Sequence, residues 1–222
     1  MKNQFWTQPL VRRLKSHALL KSVGNAIGFS AFFFAYFWVM DHPAPFSPLQ
    51  VIPVFALDHW IVVQQWALIP YASLWFYVCI ASGLIETRAE FLDYLYRAGF
   101  LCIAGLLTFW LFPTTVPDFG VDWQLYPALA FLKSQDGGAN AMPSLHVAFA
   151  VFTAAYLNAH LRSCGAPTAA RLFNYAWCAL IIYSTLATRQ HVFLDALAGM
   201  ALGALAFSPV QKVSSRLCRI NM

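Results

Sequence analysis

Charge is what this sequence has least of. Charged residues fill only 10% of its 222 positions, and nine of them are Asp or Glu. A soluble domain carries about 25%, so this chain cannot build a water-facing surface all round. Patterned cysteine is missing too. Cys79, Cys102, Cys164, Cys178 and Cys218 include no CxxC pair, which argues against a metal knuckle and against a disulfide framework. There is no sequence repeat, no low-complexity tract and no composition break that marks a domain boundary. No small-residue cleavage site follows Met40, so the first apolar run is expected to be a retained anchor, not a removed signal peptide.

What is present is apolar surface. The chain is 60% hydrophobic and 17% aromatic, with a mean hydropathy of +0.59. A protein core alone cannot absorb that much apolar area, so lipid is the expected solvent. The fold class expected is an all-α integral membrane protein, a bundle of six transmembrane helices. The spans fall at about 23–40, 66–85, 97–112, 143–160, 172–187 and 192–210. They form one membrane domain, 23–211, between a basic N-terminal segment, 1–22, and a basic tail, 212–222. Residues 54–65 are expected to lie in the interface or to begin a tilted second helix. Residues 86–90 are charged and helical, and 114–141 form a long polar loop in which Asp118, Asp122 and Asp136 are solvated. The Phe32-Phe33-Phe34 run is expected to face lipid.

The net charge of +5 would point to nucleic acid in a soluble protein. Here the basic residues flank apolar segments, so they set orientation instead. With the N-terminus inside, Lys2, Arg12, Arg13, Lys15, Lys21, Arg88, Arg97, Arg162, Arg171, Lys212, Arg216 and Arg219 fall on the cytoplasmic side. Only Lys133 and Arg189 fall outside. That bias puts both termini in the cytoplasm, and the 114–141 loop and the 188–192 turn on the outer face. Small size and short loops suit a bacterial inner membrane with a periplasmic site. Membrane lipids are the expected partners, and monomer and homodimer both stay open.

Two short segments carry chemistry. One is Asn140-Ala141-Met142-Pro143-Ser144-Leu145-His146, and the other is Thr188-Arg189-Gln190-His191-Val192-Phe193-Leu194-Asp195. Each opens a membrane helix at its outer end. Pro143 suits a first helical turn, which would put Ser144 and His146 beside free N–H groups and the positive helix end, a setting that favours an anion. His191 and Asp195 are spaced i, i+4 on one helix face. Asp195 can accept from one ring nitrogen and leave the other as a lone-pair nucleophile. The roles divide accordingly. His191 attacks phosphorus in line, Asp195 orients it, and His146 protonates the leaving oxygen. Ser144, Arg189, Gln190 and backbone N–H groups hold the phosphate, Arg189 by a forked contact. Asn140 and Lys133 are further candidates for phosphate binding.

Met142-Pro143-Ser144-Leu145-His146, followed by His191-x-x-x-Asp195 and Ala198-Gly199, resembles the type 2 phosphatidic acid phosphatase (PAP2) superfamily, and most closely its inositol phosphorylceramide synthase-like branch. The resemblance is carried by about 105–205. It implies a six-helix fold, no metal, no cofactor, these same His–His–Asp roles, and a lipid phosphate or pyrophosphate substrate. Two departures stand out. Leu111 to Asp118 contains no basic residue where the superfamily has a Lys-x6-Arg-Pro motif, and Ser184 is followed by Thr185 where it has Ser-Arg. Arg189, with Lys133, would then supply the missing charge.

The function expected is a lipid phosphate phosphatase working at the outer leaflet through phosphohistidine. The alternative within the same chemistry transfers a phospho-headgroup to a lipid alcohol. A different class is a bis-histidine haem protein using His146 and His191, and another is a transporter or structural subunit. His42, His59 and His160 are expected at interfaces or in loops. The stripe Gly199-x-x-x-Gly203 is expected to pack helices within the bundle, with a dimer contact as the alternative.

Overall fold

The computed structural model describes residues 6–134 and 138–207. Expectations that rest on Lys2, Asp136, 208–210, the 212–222 tail with Lys212, Arg216 and Arg219, and Cys218 lie outside these residues.

Helix α1 (Thr7–Lys15) is amphipathic and breaks at His17, which has a left-handed backbone (φ 52°). Helix α2 (Ala18–Asp41) therefore begins before residue 23. Prolines 43, 45, 48 and 53 keep the next stretch extended. It contains strand β1 (Gln50–Val51) and ends in the short helix α3 (Ala56–Trp60). Extended backbone at Ile61 and Gln64 separates α3 from the next helical segment, so 54–65 does not start a tilted second helix. A 3-10 turn (Gln65–Ala67) leads into α4 (Leu68–Ala72) and α5 (Leu74–Gly83), one nearly continuous rod.

Helix α6 (Arg88–Leu111) starts nine residues before the expected third span. A reciprocal cap explains the early start. The Thr87 hydroxyl accepts from the Glu90 N–H at 3.2 Å, and the Glu90 carboxylate accepts from the Thr87 N–H at 3.4 Å. The long loop beyond α6 is less irregular than expected. Strand β2 (Thr114–Thr115) pairs in parallel with β1, a 3-10 turn spans Trp123–Leu125, and α7 (Pro127–Ser134) comes next. The fold is mostly helical, and this small pair, two residues on each side, satisfies loop backbone that no helix serves. Asp118 and Asp122 are exposed, and each caps its own turn.

The bundle closes with α8 (Leu145–Ser163), α9 (Thr168–Ala187) and α10 (Phe193–Ala206). Helix α8 is central and packs on α5, α6, α9 and α10. Leu74, Leu101 and Ile181 are fully buried around it, as is its own Phe152. Among the described residues, three segments are long and apolar enough to cross a membrane: Ala18–Asp41, Gln65–Gly83 and Arg88–Leu111. Helices α8 and α9 carry buried Thr153, Asn174 and Ser184 instead of a uniformly apolar face, because protein surrounds them more than lipid does.

Glycine sets the closest approach in the bundle. A Cβ on Gly199 would collide with the Ser144 carbonyl oxygen, and one on Gly203 with that of Ala148. The small-residue stripe thus lies against α8 inside the bundle. Of the phenylalanine run, only Phe34 points fully outward; Phe33 packs on Trp75 and Phe32 on Phe149.

The far end of the bundle holds a buried ionic knot. Arg13 is 3% exposed, pairs with Glu86 at 3.1 Å and with Glu90 at 3.4 Å, and donates to the Leu84 carbonyl. Arg97 pairs with Asp93 at 2.9 Å and donates to the carbonyl of Ala206, the last residue of α10. These two arginines thus meet protein, not lipid headgroups. His160 corrects an expectation as well. It is buried within α8 against the Tyr156 ring, not set in a loop.

Candidate active site

Helices α8 and α10 begin side by side at the end opposite that knot. Ser144 is the N-cap of α8, and its hydroxyl accepts from the Val147 N–H at 3.2 Å. Pro143 therefore precedes the cap and does not form the first helical turn. The Ser144 N–H donates to the Asp195 carbonyl at 3.0 Å, a bond that joins the two helix starts. With Gly199 pressed beneath Ser144, this contact sets the start of α8, which carries His146, against the start of α10, which His191 precedes by two residues.

His146 is buried at the start of α8. Its Nε2 lies 3.0 Å from the Tyr71 carbonyl, and its ring stacks on the Tyr71 ring with centroids 4.0 Å apart. A carbonyl oxygen only accepts, so this contact calls for a proton on Nε2.

His191 stands in the turn between α9 and α10. The N–H groups of Gln190 and His191 both donate to the Thr185 carbonyl at 3.1 Å. Its Nδ1 lies 3.2 Å from Asp195 Oδ2, in ion-pair range though not in hydrogen-bonding alignment. The other Asp195 oxygen accepts from the Val192 N–H at 3.1 Å. Asp195 is wholly buried, and this second bond holds its carboxylate against the helix start.

The expected phosphate-binding residues divide into two groups. Ser144 and Gln190 lie at the histidines, and buried Gln190 Nε2 has no protein partner among the described residues. Arg189 is buried beside them, with a left-handed backbone (φ 58°). Its fork is turned elsewhere. Nη1 donates to the Asp58 carbonyl at 2.8 Å and Nη2 to the Ile61 carbonyl at 2.6 Å, while the guanidinium lies 3.9 Å over the Phe119 ring. Burial lowers the Arg189 pKa from its ordinary value, and the Asp58 charge opposes that shift. Asn140 bonds the Tyr36 hydroxyl and sits beside Thr114. Lys133 lines a groove of about 260 Å³ with Asp118, Phe119, Trp123 and Arg189, a groove that the two histidines do not line.

The sequence reading passed over three contributors. Asp58, expected at an interface, is 1% exposed and accepts from the Phe193 N–H at 2.7 Å. An acid within an otherwise apolar run was the available signal. Tyr71 and Phe119 act through a backbone carbonyl and a ring face, which leave no signature in sequence.

A model of the PAP2 superfamily matches residues 35–208, well over half of the chain. The chain belongs to the PAP2 superfamily. The match begins within α2, so it takes in most of the first half, beyond the stretch that carried the sequence resemblance. Membership indicates phosphatase or phosphotransferase chemistry for this PAP2 protein. No curated protein and no solved structure matches the chain.

Proposed function

We propose that this PAP2 protein is a six-span lipid phosphate phosphatase that acts at the outer leaflet through phosphohistidine. The observation that carries this reading is the Ser144–Asp195 bond, which sets His146 and the His191–Asp195 pair at two adjoining helix starts. Asp195 engages Nδ1 of His191, which leaves Nε2 to attack phosphorus in line. The N–P bond forms as the bond to the leaving oxygen breaks. That oxygen takes a proton from Nδ1 of His146, whose Nε2–H stays on the Tyr71 carbonyl. Water, deprotonated by His146, then releases phosphate from His191. The Tyr71 ring face supports the charged imidazole. Ser144 and Gln190 hold phosphate oxygens, and Arg189, Lys133 and Asn140 act farther out.

One observation favours the transferase variant. The Arg189 fork is held by carbonyls, so it is aimed away from the histidines and is poorly placed to neutralise a dianion there. A phosphodiester carries less charge, and its headgroup could pass from His191 to a lipid alcohol. A bis-histidine haem would leave Asp195 and the Ser144 cap without a role.

The test is turnover of phosphatidic acid, a polyprenyl diphosphate and a phosphodiester lipid by the detergent-purified chain, with and without an alcohol acceptor. Phosphate release inhibited by orthovanadate and retained in chelator is the expected result. Transfer without release would replace the phosphatase reading, and a Soret band would replace both.

A further inference from the structure

Asp58 and Arg189 each serve the segment that carries the other. In α3, Asp58 Oδ2 accepts from the Phe55 N–H at 2.8 Å, which caps the start of its own helix. Oδ1 accepts from the N–H of Phe193, the first residue of α10. In return, Arg189 donates to the carbonyls of Asp58 and Ile61, at the C-terminal end of α3. An acid thus covers two helix N-termini and a cation covers a C-terminus, the signs that the peptide dipoles favour. Asp58 is 1% exposed and Arg189 8% exposed, so loss of either side chain would leave its backbone partners without their hydrogen bonds in a buried setting. The left-handed backbone of Arg189 is strained for a residue with a side chain and needs such contacts to persist.

Position gives the clasp its consequence. Phe193 lies two residues after His191 and two before Asp195. Its N–H is bound by Asp58, and that of Val192 by Asp195. The N-terminal amides that aim this pair are therefore held by protein carboxylates, one of them from a segment distant in sequence.

We propose that Asp58 and Arg189 form a reciprocal clasp between the outer segment 55–61 and the turn 189–193, and that Asp58 is thereby a positioning residue for His191 and Asp195. The catalytic half of this proposal rests on the phosphohistidine reading. The clasp itself does not.

Two measurements on the full chain in detergent test it: hydrogen–deuterium exchange of the 187–197 segment, and kcat and KM with phosphatidic acid. In Asp58→Ala the segment should exchange about tenfold faster while α8 and α9 stay protected. The kcat should fall about 10- to 100-fold, as for other residues that orient a working histidine, with KM within about threefold of wild type. Asp58→Asn retains one acceptor for the Phe193 N–H and should recover part of both losses. If Asp58→Ala does not fold, Asp58→Asn and Arg189→Lys report on the same two readouts, each with an intermediate loss expected. Wild-type exchange in these variants would overturn the clasp. Faster exchange with wild-type kcat, or a rise in KM alone, would overturn the positioning role. If the wild-type chain turns over no lipid phosphate, the phosphohistidine reading fails by itself, and exchange alone then decides the clasp.

Discussion

His191 and His146 are each set by one neighbour. Asp195 stands one turn along from His191, whereas the Tyr71 carbonyl comes to His146 from another helix. On the proposed chemistry, His191→Ala and His146→Ala should each lower kcat by about three orders of magnitude or more. Only His146→Ala should leave phosphohistidine formation detectable, with a good leaving group, in a rapid-quench experiment. Equal loss of the phosphoenzyme in both would reverse the division of labour. Ser144→Ala removes the cap of α8 and should cost about 1 kcal/mol of stability, measured as a lower midpoint of thermal unfolding.

At the scale of elements, the α8–α10 contact matters most. Gly199→Ala would drive a methyl group into backbone at Ser144, and backbone cannot swing aside. The expected cost is about 1–3 kcal/mol of stability, together with loss of turnover, because the contact lies directly under the site. Gly28→Ala, in α2, meets nothing within 4 Å. It should be neutral or stabilising, by up to about 1 kcal/mol. Similar effects in unfolding and activity for both variants would show that the stripe does not set the spacing. The i, i+4 spacing and the GxxxG pattern made this contact partly visible in sequence. Its partner, the bare backbone at Ser144, was not visible.

For the whole molecule, the site and the Arg13–Glu86–Glu90 knot lie at opposite ends of the bundle. If the site faces outward, Asp118→Cys, in the exposed outer loop, should react with a membrane-impermeant maleimide in intact cells. Arg88→Cys, at the start of α6, should react only after permeabilisation. The reverse pattern would place the chemistry inside the cell. The positive-inside count predicts the same axis, although two of the residues it counts, Arg13 and Arg97, are buried in protein ion pairs.

Linear order alone was enough for the helix-rich class and the apolar runs that suggest a membrane, and it singled out the side chains proposed to act. Low charge, apolar runs and the i, i+4 pairing of His191 with Asp195 are local properties that survive in a string of residues. Where charge is spent emerged only on folding. Arg189 looked like a phosphate ligand because little else outside was basic, yet its fork closes on two carbonyls more than a hundred residues away. Asp58 looked interfacial and is a buried cap on α10. Backbone donors and acceptors are the same at every position, so only the folded chain settles which of them a buried side chain will meet.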